Sequence, residues 1–393
     1  PMFPLYYEYH NPVKILSGEA ALENIPYEFH ALEAKAPLLL SDPGLLKVGA
    51  VNTVLRAMAP VVPAATFTEI PPDSSVAVVN QIAALFREKC CDSIIAVGGG
   101  SVIDTAKGVR MVIGQCTDDI ESLMGCEVLT AGRHIPFIAV PTTAGTGSEA
   151  TPVAVISNPE RHVKQEYISA HLLPDVAVLD LRMTMTLPAK VTASTGIDAL
   201  CHAIESYTCL QKNPMSDAYA AGAIPMIMRY LPIAAAQPGN KEARMAMANA
   251  SLMAGTAFGN SMVGLVHAIG HALGGVCHVA HGDAMSILLP HVMRYNLDKC
   301  RSVYSDLLLH LAGPEIYCQT PAHLRAEKSI DIVESFIQSF GSTGLPMTLR
   351  DTGRVTAADL PQVAQTAISD GAIIVNPKAA GITEIIQILK EAF

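Results

Sequence analysis

The sequence contains no tryptophan, no block of clustered basic residues, and no apolar run approaching the ~18 residues that a membrane span requires. The last two absences each exclude a class of function. Binding to a phosphate backbone depends on clustered Lys and Arg, and a formal net charge of −10 works against it, so no nucleic acid partner is expected. The opening PMFPLYYEYHN lacks a cationic stretch followed by an apolar core, so neither membrane insertion nor secretion is expected, and the chain reads as cytoplasmic. The nine cysteines form no even framework and no Cys-x-x-Cys pair, which reads as reduced, mostly buried thiols rather than disulfides. What is present is 393 residues, 50% apolar and 16% charged, a composition and length that suggest two globular domains working on small molecules.

Up to about residue 188 the pattern alternates. Short apolar runs, PLLLSD (37–42), SIIAVGGG (93–100), IPFIAVP (135–141), VAVIS (153–157) and VAVLD (176–180), are separated by helix-like segments. Runs of this kind suit parallel strands buried on both faces with helices between them. Beyond Leu187-Pro188 the texture becomes rich in Ala, Met and Leu at helical spacing, as in SDAYAAGAIPMIMRYLPIAAA (216–236) and EARMAMANASLMAGTAF (242–258). The expected architecture is an α/β domain over 1–188 followed by an all-α helical domain over 189–393.

Two loops in the first half have the composition of a nucleotide cradle. In SIIAVGGGSVIDTAKG (93–108) a strand runs into Gly98, Gly99, Gly100 and Ser101 and then into a helix. Glycines let backbone N–H groups approach a pyrophosphate, and the helix points the positive end of its dipole at the same anion. Asp104, one turn in, either contacts the ligand or is the acid that a helix favours in its first turn. PTTAGTGSEAT (141–151) also follows a strand and is dominated by small hydroxyl residues and glycine, and two such loops fit ligand binding at the carboxyl edge of a parallel sheet. Asp42 ends the first clear strand, where a carboxylate accepts hydrogen bonds from an adenosine ribose and repels a 2′-phosphate, favouring NAD over NADP. It equally suits a turn before Pro43-Gly44.

The second half concentrates histidines. TGIDALCHAIESY (195–207) places Asp198 and His202 four residues apart, on one face of a helix. GLVHAIGHALGGVCHVAHGDA (264–284) repeats the spacing with His267 and His271 and adds His278 and His281. On apolar helices both members of each pair fall on the core face, where uncompensated polar groups are costly, and a divalent cation satisfies them together. One carboxylate with three imidazoles suits a borderline metal, Fe(II) or Zn(II), with room for a substrate oxygen.

These segments, GGGSVIDTAKG, PTTAGTGSEAT, TGIDALCHAIESY, GLVHAIGHALGG, the following AHG, ILLPHVMRYN (287–296) and NPKAAGITEIIQIL (376–389), resemble the iron-containing, or group III, alcohol dehydrogenases over essentially the whole chain. The resemblance implies a dehydroquinate synthase-like architecture, with a dinucleotide-binding first domain and a helical second domain that carries the metal and the chemistry. It implies a metal, Fe(II) before Zn(II), on Asp198, His202, His267 and His281. It implies NAD(H) contacts on Asp42, Gly98 to Ser101, Thr142, Thr143, Thr146, Val153 and Lys164. His271 then stands near the nicotinamide as a proton-relay or positioning residue rather than on the metal. The implied reaction is hydride transfer between a small primary or secondary alcohol and its aldehyde or ketone, in a homo-oligomer. Ala280 where the family often has proline, Met285 where it often has asparagine, and the additional His278 leave the metal set intact and bear on substrate preference.

Two rival readings remain. A glycerol-dehydrogenase-like or dehydroquinate-synthase-like enzyme shares the fold, but the latter acts on a phosphorylated acid and needs basic residues converging on its site, and the metal-type segments contain none. A non-catalytic nucleotide-binding assembly protein would also use broad apolar helices for association.

Overall fold

The computed structural model describes residues 4–126, 132–161 and 163–393. It divides into two compact units, His10–Leu187 and Pro188–Phe393, the second also taking in the N-terminal segment through Tyr9. That segment departs from the boundary expected at residue 1. Tyr9 stacks on Tyr219 of the second unit, with ring centroids 6.1 Å apart and the hydroxyls 3.1 Å apart.

The first unit contains β1 (Lys14–Gly18), α1 (Ile25–Ala31), β2 (Pro37–Leu40), α2 (Pro43–Lys47), α3 (Ala50–Ala57), β3 (Ala65–Phe67), α4 (Val76–Glu88) and β4 (Ser93–Gly98). It continues with α5 (Gly100–Gly114), β5 (Gly125–Cys126), β6 (Phe137–Pro141), β7 (Val153–Asn158), β8 (Val163–Ile168), β9 (Val176–Asp180) and α6 (Leu181–Thr184). Six strands form a parallel sheet in the order β1-β9-β6-β4-β2-β3. Every residue of β2, β4, β6 and β9 is buried. Successive side chains in a strand point to opposite faces. Leu38, Leu40, Ile94, Ala96, Phe137 and Ala139 therefore enter the core that contains residues of α4 and α5. Leu39, Ile95, Val97, Ile138, Val140 and Val178 enter the core that contains residues of α1 and α3. Helical cover on both faces is why these strands read as unbroken apolar runs.

VAVIS (153–157) is not part of that sheet. β7 pairs antiparallel with β8, which pairs in turn with β5, in a separate three-stranded sheet. Its residues alternate half-buried and buried, so only Ala154, Ile156 and Asn158 face inward. One-sided burial suits an antiparallel hairpin rather than a central parallel strand.

The second unit is built from α7 (Ala189–Thr208), α8 (Pro214–Ala236), α9 (Lys241–Gly259), α10 (Leu265–Cys277), α11 (His281–Gln319), α12 (Arg325–Gln338), α13 (Leu360–Ala367) and α14 (Ile382–Glu391). α11 breaks at Gly313, which has φ 82° and precedes Pro314. α8 starts where its sequence dictates. Asn213 accepts from the N–H groups of Met215 and Ser216, the Ser216 hydroxyl accepts from the Asn213 N–H, and Pro214 occupies the first helical position. Among the described residues, no helix is long and apolar enough to cross a membrane.

α7 is buried over most of its circumference and approaches α8 closely at Gly196, where an added Cβ would sit 2.3 Å from Leu231 Cδ1. Leu231 is fully buried, so it has little room to move aside. Gly196→Val is expected to destabilise the protein by about 1–3 kcal/mol through overpacking. Adding Leu231→Ala to Gly196→Val restores part of that loss, so urea unfolding of the double variant gives a ΔΔG smaller than the sum of the two single values.

Candidate active site

The carboxyl ends of three adjacent strands assemble the first group of expected residues. β2 lies beside β4 and β4 beside β6, so the segments that follow them, beginning at Ser41, Gly99 and Thr142, leave the same sheet edge together. Asp42 caps α2, its Oδ1 accepting from the Leu45 N–H at 2.9 Å. α5 starts at Gly100 with no side-chain cap. Its first amides therefore form the donor-rich, positively polarised end that an anion occupies.

The two loops interlock. The Thr142 N–H donates to the Gly98 carbonyl at 3.0 Å, and a Cβ on Gly100 would lie 2.8 Å from Thr146 Cγ2, so only glycine admits the second loop this near. Thr143 is the nearest neighbour of Gly99, with its Oγ1 3.2 Å from where a Cβ would stand. The Ser101 hydroxyl accepts from the Asp73 N–H at 3.2 Å, and Lys164 pairs with Asp73 Oδ1 at 2.6 Å. Asp42, Gly98 to Ser101, Thr142, Thr143 and Thr146 thus share one edge, and Lys164 reaches it through Asp73.

Asp104 serves the scaffold. Its two oxygens accept from the Ser148 hydroxyl at 2.5 Å and from the Val155 N–H at 3.0 Å, which ties α5 to the second loop and to β7. Lys107 lies one turn further on and is fully buried, donating to the Thr151 carbonyl and hydroxyl and to the Val153 carbonyl at 2.7–3.0 Å. Burial pulls its pKa down to about 8 against the opposing charges of Asp104 and Glu149. Val153 is held here by its backbone. The sequence offered no signal for Lys107 beyond a lone cation in an apolar helix.

In the helical unit α7 contributes Asp198 and His202, α10 contributes His267 and α11 contributes His281, and one ligand atom from each lies within 4.8 Å of the others. The Nε2 atoms of His281, His267 and His202 stand 3.3, 3.6 and 3.8 Å from Asp198 Oδ1. Donor atoms sharing one tetrahedral ion at ~2.1 Å are about 3.4 Å apart, so this spacing is that of co-ligands rather than of hydrogen-bonded pairs. Asp198 Oδ1 and His267 Nε2 are buried with no hydrogen-bond partner. Two orphaned polar atoms facing each other in an apolar bundle are costly unless a cation joins them. The donor set fits a divalent metal.

The electrostatics favour positive charge at this point. Burial pushes Asp198 up, but the imidazoles of His202 and His281 outweigh it and hold the carboxyl well below its usual range. Burial opposes charge on His267, yet the Asp198 and Glu205 carboxylates hold it up to about 10. Burial, against the pull of Asp198, lowers His281. The His202 ring is sandwiched between Phe258 at 4.3 Å and His267 at 4.6 Å.

His271 lies beside the four without joining them. Its Nδ1 is 2.8 Å from Asp370 Oδ2, and its ring stacks on that of His281 at 5.6 Å. Burial raises Asp370, but the adjoining His271 outweighs it and lowers the carboxyl below its usual value. His278, the additional histidine, is exposed and ends α10 in a left-handed conformation with φ 56°. Sequence reasoning missed Glu205 and Asp370. Glu205 had a readable signal, since positions 198, 202 and 205 form one stripe on α7. Asp370, from a distant segment, had none.

Known proteins match both units. The profile described as iron-containing alcohol dehydrogenase covers residues 12–181, and that of the Fe-containing alcohol dehydrogenase family, C-terminal, covers residues 192–393. The chain is 38% identical over 379 residues to 1,3-propanediol dehydrogenase of Klebsiella pneumoniae, covering 96% of each. It is 34% identical over 384 residues to NAD-dependent methanol dehydrogenase of Bacillus methanolicus, covering 97% of this chain and 98% of that one. The solved structure of alcohol dehydrogenase from Oenococcus oeni superposes with a TM-score of 0.92 at 32% identity, covering 99% of this chain and 100% of the other. With two profiles accounting for nearly every residue and full-length relatives above 30% identity, the chain belongs to the iron-containing alcohol dehydrogenase family and is an alcohol oxidoreductase.

Proposed function

We propose that the protein interconverts a small primary or secondary alcohol and its aldehyde or ketone with NAD(H), using one divalent metal, Fe(II) before Zn(II), on Asp198, His202, His267 and His281. The observation that carries this reading is the facing pair of buried, partnerless atoms, Asp198 Oδ1 and His267 Nε2. Similar proteins named NAD-dependent methanol dehydrogenase and 1,3-propanediol dehydrogenase support the cofactor and a short alcohol as substrate.

A metal bound at the four side chains supplies Lewis acidity to an alcohol oxygen, and the nicotinamide supplies the hydride acceptor. The chain's own groups do the rest. Asp198 stays ionised and is the one anionic ligand, and the three imidazoles would hold the metal in their neutral form. His271, with Nδ1 committed to Asp370, exchanges the substrate proton at Nε2. Phe258 fixes the plane of His202 by stacking. In the α/β unit the uncapped start of α5 and the hydroxyls of Thr142, Thr143 and Thr146 bind the pyrophosphate, with Gly98, Gly99, Gly100 and Ser101 keeping the approach open. Val153 and Lys164 complete the cofactor set, and Asp104 positions the second loop. Asp42 Oδ1 caps α2, and its carboxylate charge favours a ribose diol over a 2′-phosphate. Self-association is supported by β1, an edge strand whose Ile15 is exposed, and by exposed Tyr27 of α1, whose ring lies 5.4 Å from the Lys14 ammonium of that strand.

His267→Ala is expected to abolish both metal content, measured by elemental mass analysis, and NAD reduction with short alcohols. Full turnover in metal-free His267→Ala protein would refute the assignment. Asp42→Asn retains a capping oxygen for Leu45 but removes the charge. Charges ~4 Å apart at effective dielectrics of 20–80 interact by about 1–4 kcal/mol, so the ratio of kcat/KM for NAD over NADP should fall about tenfold or more. An unchanged ratio removes Asp42 from cofactor discrimination.

A further inference from the structure

α10 carries His267 and His271, yet it starts without a cap of its own. Its N-cap is Gly264, which has no side-chain acceptor, and the first N–H groups of a helix need partners from outside. Two distant segments provide them. The Leu265 N–H donates to Asn376 Oδ1 at 3.2 Å, and the Val266 N–H donates to Glu205 Oε1 at 2.7 Å. The fit leaves no space, since a Cβ on Gly264 would stand 3.0 Å from Asn376 Oδ1 and 3.1 Å from Glu205 Oε1.

The two caps differ in one respect. Asn376 is otherwise engaged with Asn296 and the Lys378 carbonyl, away from the metal-type cluster. Glu205 turns its second oxygen, Oε2, to His267 Nδ1 at 2.5 Å. It lies seven residues after Asp198 and three after His202 on the same face of α7, and it is buried. One carboxylate therefore touches both the start of the helix that bears His267 and the ring of His267 itself.

We propose that Glu205 is a positioning residue for the metal centre, an inference that rests on the metal reading given above. A carboxylate only accepts, so His267 Nδ1 keeps its hydrogen, and Nε2, the nitrogen facing Asp198 Oδ1, is the one left to offer a lone pair when a cation displaces its proton. That is the tautomer a ligating imidazole requires, and the hydrogen bond also makes Nε2 a better donor to a cation. Because Oε1 is anchored by the Val266 N–H, Oε2 cannot swing away without uncapping α10. The helix start and the ring orientation are thereby locked to each other.

Glutamine tests this because it keeps the shape and breaks the polarity. Its amide has one oxygen and one NH2, so it satisfies either the Val266 N–H or the Nδ1 hydrogen, and the other contact becomes donor against donor. The measurement is Zn(II) affinity of metal-stripped full-length protein by competition with a chromophoric chelator, with the Co(II) visible spectrum as a report on ligand geometry and thermal melting as a check on folding. Glu205→Gln is expected to bind Zn(II) about 10–100-fold more weakly than the wild type. Asn376→Ala, which removes the other cap and leaves the ring contact, is expected to lower the melting temperature while keeping affinity within a few-fold. Should Glu205→Gln fail to fold, Glu205→Asp keeps the charge but falls short of Nδ1, and the same weakening is expected.

The outcomes separate the two claims. His267→Ala protein that binds Zn(II) as tightly as the wild type sinks the metal reading and this inference with it. Weak binding by His267→Ala together with wild-type affinity and an unaltered Co(II) spectrum in folded Glu205→Gln overturns the role of Glu205 alone. An equal loss of affinity in Asn376→Ala overturns the claim that ring orientation, rather than the helix start, is what Glu205 sets.

Discussion

The helical unit is organised around a charge that has nowhere to go. Asp198 is 1% exposed, held in its ionised form, and enclosed by imidazoles that are themselves removed from water. A lone buried carboxylate is untenable at neutral pH unless positive charge is brought to it. The chain brings it from three helices, with His202 on Asp198's own helix and, more than fifty residues on, His267 on α10 and His281 at the first residue of α11. The Asp198 and Glu205 carboxylates raise the affinity of His267 for a proton, and the same field favours a metal cation. The arrangement makes sense when a divalent metal replaces that proton, because the metal satisfies Asp198 Oδ1 and His267 Nε2 at once.

Under the proposed reading the α/β unit meets the opposite demand, presenting partial positive charge to an anion without a cationic side chain at the start of α5. Bare amides at the start of α5 do so only if the backbone is held still and kept clear of bulk. Gly100 keeps it clear, because a methyl group there would strike Thr146. Asp104 and Lys107 hold it still. From successive turns of α5 they fasten Ser148, Thr151, Val153 and Val155, so the helix, the second loop and the hairpin are tied together. Residues with the look of ligand contacts in the sequence thus divide into those that face the cradle and those that brace it.

That division marks how far the sequence could be read. β2, β4, β6 and β9 were legible because burial on both faces leaves no polar position to blur the run. β1, mostly exposed, and the three-residue β3 carried no such pattern. VAVIS read as a parallel strand because its apolar composition hides an alternation that only the half-exposure of Val153 and Val155 reveals. In the helical unit, four-residue spacing exposed Asp198 with His202 and His267 with His271, but spacing alone does not tell which of His271, His278 and His281 completes the set. The structure separates them by local conformation. His271 turns to Asp370, His278 is spent ending α10, and His281 opens α11 against Asp198. The family resemblance points to His281 because it carries tertiary information that a spacing rule lacks.

The partners of the ligands were the least legible part, and physics explains why. Asp370 reaches His271 across 99 residues and Asn376 reaches Leu265 across 111, so no local pattern connects them. Both come from the C-terminal segment beyond α13, whose stretch 376–389 entered the sequence reading only through the family resemblance. Acceptors from that segment hold the start of α10 and the ring of His271 in place. The helix that carries His267 is capped entirely from segments remote in sequence, Asn376 at Leu265 and Glu205 at Val266. The precision of the four metal-type side chains therefore belongs to the bundle as much as to the side chains themselves.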